Sequence, residues 1–111
     1  MRFAAGDILC VDLGTVTGEY NVAGVRPGIF LHEEGNLAII IPLTTNLKRL
    51  KFKSTVLIEP DSLNKLTRQS VALVFQMQAY DTRRILIKIG SISAKDKERL
   101  KIHLKKVLLF K

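Results

Sequence analysis

Residues 37–53 read Leu37-Ala38-Ile39-Ile40-Ile41-Pro42-Leu43-Thr44-Thr45-Asn46-Leu47-Lys48-Arg49-Leu50-Lys51-Phe52-Lys53. The run opens apolar and rich in β-branched residues, which favours an extended chain buried on both faces. Pro42 interrupts it, because proline has no N–H to give to a ladder. Hydroxyls and an amide follow at Thr44, Thr45 and Asn46, and a basic segment from Lys48 to Lys53 comes at once. The stretch predicts a buried strand that delivers polar side chains to the rim of a sheet, beside a basic loop.

Upstream, Glu33 to Asn36 reads as a turn joining this strand to an earlier one, Gly28 to His32. Arg26-Pro27 precedes that strand. A proline pushes the residue before it out of the helical region, so Arg26 is expected at a loop-to-strand junction. Further back, Ile8 to Leu13 is a first strand, followed by a turn-rich loop from Gly14 to Gly24. Downstream, Ser54 to Ile58 has strand composition and stops at Pro60-Asp61-Ser62. Leu63 to Gln69 is a polar, basic connection. Ser70 to Gln78 is predicted as one strand, with Val71, Leu73, Phe75 and Met77 on one face and Ala72, Val74, Gln76 and Gln78 on the other.

Tyr80 to Arg84 reads as a turn or a single helical turn, and Ile85 to Ile89 as a last short strand. Ser93 is placed to cap a helix, with Asp96 in the capping-box position. Leu100, Leu104, Val107 and Leu108 share one face of that helix. Lys95, Lys97, Arg99, Lys101, Lys105 and Lys106 form a solvated face. The fold class is therefore α+β and mostly β: a strongly bent antiparallel sheet or open barrel, braced by a C-terminal helix.

At 111 residues the chain is expected to be one domain over 1–111, with one modest core. Aromatics are only 6%, so Ile, Leu and Val must build that core. Eighteen Lys and Arg stand against 10 Asp and Glu, a net charge of +8, and no acidic residue occurs from Gly35 to Ile58. Such a localised excess favours an anionic partner, nucleic acid or an acidic protein segment. The single cysteine, Cys10, excludes an internal disulfide and reads as a buried thiol, which fits a cytoplasmic protein. No run reaches the roughly 18 apolar residues of a membrane span, and the N-terminal stretch does not read as a signal peptide.

His32 and His103 lack companions at metal-ligand spacing, so no metal is expected. There is no Gly-rich phosphate loop and no serine–histidine–acid spacing, and no cofactor is implied. What remains is cleavage of a substrate that carries its own nucleophile. In RNA the 2′-hydroxyl attacks the adjacent phosphate; a protein needs only to neutralise the phosphorane, orient the attack and assist proton transfer. A guanidinium with hydroxyl donors does much of this. Arg26 and Thr44 are of the right type. The same pair also reads as a structural ion pair and a strand-ending turn, which residue types alone favour.

Gly6-Asp7-Ile8-Leu9, Asp12-Leu13, Gly24-Val25-Arg26-Pro27, Ile41-Pro42-Leu43-Thr44-Thr45-Asn46, Ser70-Val71-Ala72-Leu73 with Gln76, and Ile89-Gly90 resemble the MazF/PemK toxin family in order and spacing. The match runs from Gly6 to about Leu109. The resemblance implies a sequence-specific, metal-independent endoribonuclease of a toxin–antitoxin pair. It also implies a homodimer of PemK/CcdB-like, SH3-related fold, and an antitoxin partner whose disordered tail occupies the RNA groove. Arg26 matches the family's catalytic arginine and Thr44 its catalytic threonine. A guanidinium is almost never deprotonated, which favours charge stabilisation over base catalysis for Arg26.

On this reading Lys48, Arg49, Lys51 and Lys53 track phosphates beside Thr45 and Asn46, Phe52 or Tyr20 stacks a base, and Gln76 and Gln78 read base edges. Phe52 reads equally as a core anchor. The chain departs from the family in the segment Gly18 to Ala23, at Ser54-Thr55, at Phe75, and at Gln78-Ala79. Two alternatives stand beside the ribonuclease: a CcdB-like gyrase-binding poison, and a cleavage-dead relative that binds RNA or antitoxin.

Overall fold

The computed structural model describes residues 2–14 and 24–108. Strands β1 (Asp7–Asp12), β2 (Val25–Glu34) and β3 (Leu37–Thr44) pair antiparallel in sequence order. Then come β4 (Thr55–Ile58), β5 (Ser70–Leu73), β6 (Gln78–Asp81), β7 (Ile85–Ser91) and the helix α1 (Ala94–Leu108). The sheet runs β4-β5-β3-β2-β1-β7, and β6 also pairs with β3. β6 and β7 lie on opposite sides of the β3-β2-β1 meander, yet only the 3-10 turn Thr82–Arg84 joins them. The sheet must curl to bring them together, giving the bent antiparallel half-barrel expected from sequence.

The curl makes two cores. Inside it lie Leu9, Val11, Phe30, Ala38, Ile40 and Tyr80. On the other face, Ile8, Ile29, Ile41, Leu43, Val56, Ile58, Ala72 and Val74 pack with Ile92 and Leu100 beneath α1. Strands β1 to β3 therefore bury both faces, which is why their sequences run apolar instead of alternating. Full burial of each Ile or Leu contributes about 1.5–3 kcal/mol before conformational entropy is charged against it.

Helix α1 starts as its sequence indicates: Ser93 Oγ accepts from Asp96 N at 3.2 Å. Leu100 is buried, and Leu104 and Val107 pack against the helix-side core, while Leu108 is exposed. The lysines face solvent, but Arg99 does not belong with them. Its Nη1 donates to Leu57 O at 2.9 Å and to Asp96 Oδ1 at 2.8 Å, tying α1 to β4. Cys10 is half-buried, more accessible than its apolar neighbours suggested.

Three other expectations change. Val25 to Pro27 already belong to β2, so that strand starts three residues earlier than expected, with Arg26 as its second residue, across from Val11. Tyr80 and Asp81 are strand residues of β6. And Ser70 to Gln78 is not one strand: β5 ends at Leu73, residues Val74–Gln76 form a 3-10 turn, and β6 begins at Gln78.

The register explains that break. Thr44 pairs with Val71, and Ile40 with Gln78. Five residues of β3, Ile40 to Thr44, thus face eight of the returning chain, Val71 to Gln78, and the surplus three are looped out around Phe75. Pro42 falls in the gap where β3 changes partner from β6 to β5, the place where a missing N–H is best tolerated. Val71 and Leu73 stay buried, as do Ala72 and Val74, but Phe75 emerges to solvent at 40% exposure and Met77 turns to the helix-side core. Alternation cannot survive three looped-out residues.

Asn64, fully buried, organises the connection between β4 and β5. Its Nδ2 donates to Glu59 O, and its Oδ1 accepts from Asp61 N and Leu66 N. Gly90 lies against this connection so closely that an added Cβ would meet Leu63 O and Asn64 O at 2.5 and 2.6 Å.

Candidate functional site

Thr44 ends β3 and is 7% exposed. Its Oγ1 accepts from Asn46 N at 3.2 Å, a local turn that ends the strand. Accepting that bond leaves the hydroxyl proton available to point outward. Arg26 is a half-buried residue near the start of β2. Gly28 pairs with Pro42, and the same register carried two residues outward sets Arg26 opposite Thr44. Directly opposed residues of an antiparallel pair project to the same face. That face is the inner one, since Arg26 also stands across from Val11, an inner-core residue.

Asn46 then caps a 3-10 helix, Leu47–Lys51, through Oδ1, which accepts from Lys48 N at 3.1 Å. The basic segment thus begins as a capped 3-10 turn and not as the loop expected. Thr45, Asn46, Lys48, Lys51 and Lys53 are exposed, and Arg49 is half-buried. Lys51 Nζ lies 5.3 Å from the centre of the half-buried Phe52 ring. Phe52 in turn meets Phe75, with ring centroids 5.2 Å apart and planes inclined at 55°. Thr55 Oγ1 donates to Phe52 O at 2.8 Å, anchoring that backbone to β4.

Gln78 pairs with Ile40, four residues before Thr44, or about 13 Å along the strand. It is exposed and lines a cleft of about 390 Å³ with Leu13, Gly14, Tyr80, Asp81 and Arg84. Arg84 Nη1 donates to Asp12 O at 3.3 Å at the edge of this cleft. Two side-chain hydrogen bonds from Arg83 hold the Asp81 carboxyl down at about 2. Burial pushes the Tyr80 phenol up, partly opposed by the Arg84 charge. Gln76 is half-buried in the looped-out turn.

The predicted residues thus fall in three groups along β3. Arg26 and Thr44 share one level; Thr45 to Lys53 continue past the strand end; Gln76 and Gln78 lie back along it. Tyr20 lies outside the described residues. The sequence marks Phe75 as a strand residue and as a departure from the family pattern, but not its display beside Phe52. The signal lay in the two glutamines, Gln76 and Gln78, which follow a fully apolar run too closely for a strand that stays buried. Among the described residues, no group of three or more His, Cys, Asp or Glu side chains could hold a metal ion, and no helix is long and apolar enough to cross a membrane.

Residues 4–108 match the sequence profile of a family described as PemK-like, MazF-like toxin of type II toxin-antitoxin system. The chain belongs to the PemK/MazF-like toxin family. Among solved structures it is similar to the Mycobacterium tuberculosis toxin MazF-mt6, with a TM-score of 0.72 and 18% identity over 91% of this chain and 94% of that one. It is also similar to an endoribonuclease in complex with its cognate antitoxin from mycobacterial species. There the TM-score is 0.73 and the identity 14%, over 99% of this chain and all of that one. Comparison with curated protein sequences finds no match. Identities this low carry the fold, and the PemK/MazF-like half-barrel is the fold they share with this chain.

Proposed function

We propose that this PemK/MazF-like toxin is a metal-independent endoribonuclease that cuts single-stranded RNA, mRNA above all, at specific sequences. The observation that supports this is the β2–β3 register: continued two residues past its last pair, Gly28–Pro42, it brings Arg26 level with Thr44, which is followed closely by the basic turn Leu47–Lys51. In-line attack by the 2′-hydroxyl forms the O2′–P bond and breaks the P–O5′ bond. The 2′-oxygen loses a proton and O5′ gains one, leaving a 2′,3′-cyclic phosphate and a 5′-hydroxyl. Negative charge builds on the non-bridging oxygens, and the Arg26 guanidinium neutralises it as a fixed cation. The Thr44 hydroxyl donates to one of those oxygens from a strand end that cannot swing.

Lys48, Arg49, Lys51 and Lys53 carry the adjoining phosphates, with Thr45 and Asn46 at the entrance. Gln76 and Gln78 read base edges, and Phe52 offers its ring to a base. The active form is a homodimer in the cytoplasm, neutralised by a cognate antitoxin, as family membership and the antitoxin-bound mycobacterial neighbour support. The test is incubation of the purified protein with single-stranded RNA in excess EDTA, with product ends sequenced. Cyclic-phosphate products, lost in folded Arg26→Ala and Thr44→Ala variants, support the reading. Undiminished cleavage by Arg26→Ala overturns it, as does gyrase inhibition without RNA products.

A further inference from the structure

We infer that Phe75, with Phe52, forms a two-ring platform between the basic turn and the β5-to-β6 turn that stacks a base of the bound RNA, and that Phe75 thereby biases which base is held there. The inference rests on the ribonuclease reading above and adds a residue to it. Four observations carry it. The ring of Phe75 is displayed by the surplus residues of the β5-to-β6 turn, at a point between the levels of Thr44 and Gln78. It is 40% exposed, although the residues on either side of it in sequence are buried or half-buried.

Its partner is already in place. Phe52 sits 5.2 Å away at an inclination of 55°, and its backbone is held by Thr55 Oγ1. Lys51 stands over Phe52 with Nζ 5.3 Å from the ring centre, and exposed Lys48 and Lys53 flank the same turn. Aromatic faces for bases set among cations for phosphates are what a single strand needs for capture. A protein helix seeking a purely apolar surface would instead meet three ammonium groups at this patch.

A polar side chain selects a base by its hydrogen-bonding edge, whereas a ring stacks any base and discriminates only modestly, through stacking strength. The platform therefore holds one nucleotide without reading its edge and leaves edge recognition to Gln76 and Gln78, which follow Phe75 in the chain.

The experiment uses full-length protein and short RNAs that are 2′-O-methylated throughout, so that no attack occurs, with 2-aminopurine placed at each position in turn. Wild type should quench the fluorophore at one position. Phe75→Ala should lose that quench and bind roughly 5- to 100-fold more weakly, with the salt dependence of binding unchanged. Phe75→Trp should restore both quench and affinity. On cleavable RNA, Phe75→Ala should raise KM more than it lowers kcat and alter the base found next to the cut. Phe75→Ala affinity within twofold of wild type, with the quench intact, overturns the platform while leaving the ribonuclease standing. So does a loss of antitoxin binding with RNA binding unaffected. Absence of RNA binding by wild type overturns both readings together.

Discussion

Gly28 on β2 lies directly across from Pro42 on β3, and two residues outward from that pair the same register brings Arg26 level with Thr44. A one-residue slip would turn either side chain to the opposite face. The glycine is part of the device: a Cβ at position 28 would collide with the Ile40 side chain. The ladder between β2 and β3 ends at the Gly28–Pro42 pair, and it is its register, continued along both strands, that puts two residues separated by a whole hairpin level and on one face.

Because Thr44 Oγ1 already accepts from Asn46 N, its remaining contribution is the hydroxyl proton. Thr44→Val should therefore cost about 10²- to 10³-fold in kcat, the loss typical of one preorganised donor, with KM nearly unchanged. Thr44→Ser should retain most of the activity. Single-turnover cleavage of one defined RNA reads both, and a fully active Thr44→Val would remove the hydroxyl from the chemistry.

The basic turn should act through counterion release. Each phosphate contact on a single strand contributes roughly 0.7 to the slope of log K against log salt. Lys51→Ala should shallow the slope by about that much across all RNA sequences, whereas Lys105→Ala, on the far end of α1, should leave it alone. A titration series over salt with an uncleavable RNA distinguishes the two.

Asn64 predicts a stability defect away from the site. Asn64→Ala strands Glu59 O, Asp61 N and Leu66 N inside a tight connection, at about 1–3 kcal/mol for each buried group left unpaired. Thermal unfolding should show a lower midpoint, and Asn64→Asp should recover only the two bonds that the carboxylate can accept. A midpoint unchanged in Asn64→Ala would contradict the role assigned.

Asp7 makes stability depend on acid. Burial raises its carboxyl, but hydrogen bonds from Ala4 N and Ser91 Oγ and the Lys88 ammonium at 3.4 Å outweigh burial and leave it below the usual 3.8. A carboxyl with a depressed folded pKa contributes stability that is present above about pH 4 and is lost as pH falls through the folded value. Asp7→Asn should therefore melt lower than wild type at pH 7, with the gap closing on acidification below about pH 4. A gap independent of pH would mean that charge is not involved.

Much of this was legible in the residues. The doubly buried runs Ile8–Val11 and Ala38–Leu43, the Ser93 cap and the helix face at Leu100, Leu104 and Val107 are local patterns, set by side-chain type and period. The residue types of Arg26 and Thr44, and the cations that follow, were equally plain. Local pattern misplaced one strand start: Gly28 reads as the beginning of β2, which already pairs with β1 from Val25.

What the sequence alone determined is which segments extend, which coil, and where charge and hydroxyls gather, because those depend on neighbours along the chain. Only the tertiary structure decided the Gly28–Pro42 register from which Arg26 and Thr44 come level, the three surplus residues of the chain returning along β3, and the display of Phe75 beside Phe52. Register is a property of two strands at once, fixed by which faces both can bury, and a single strand read by itself does not contain it.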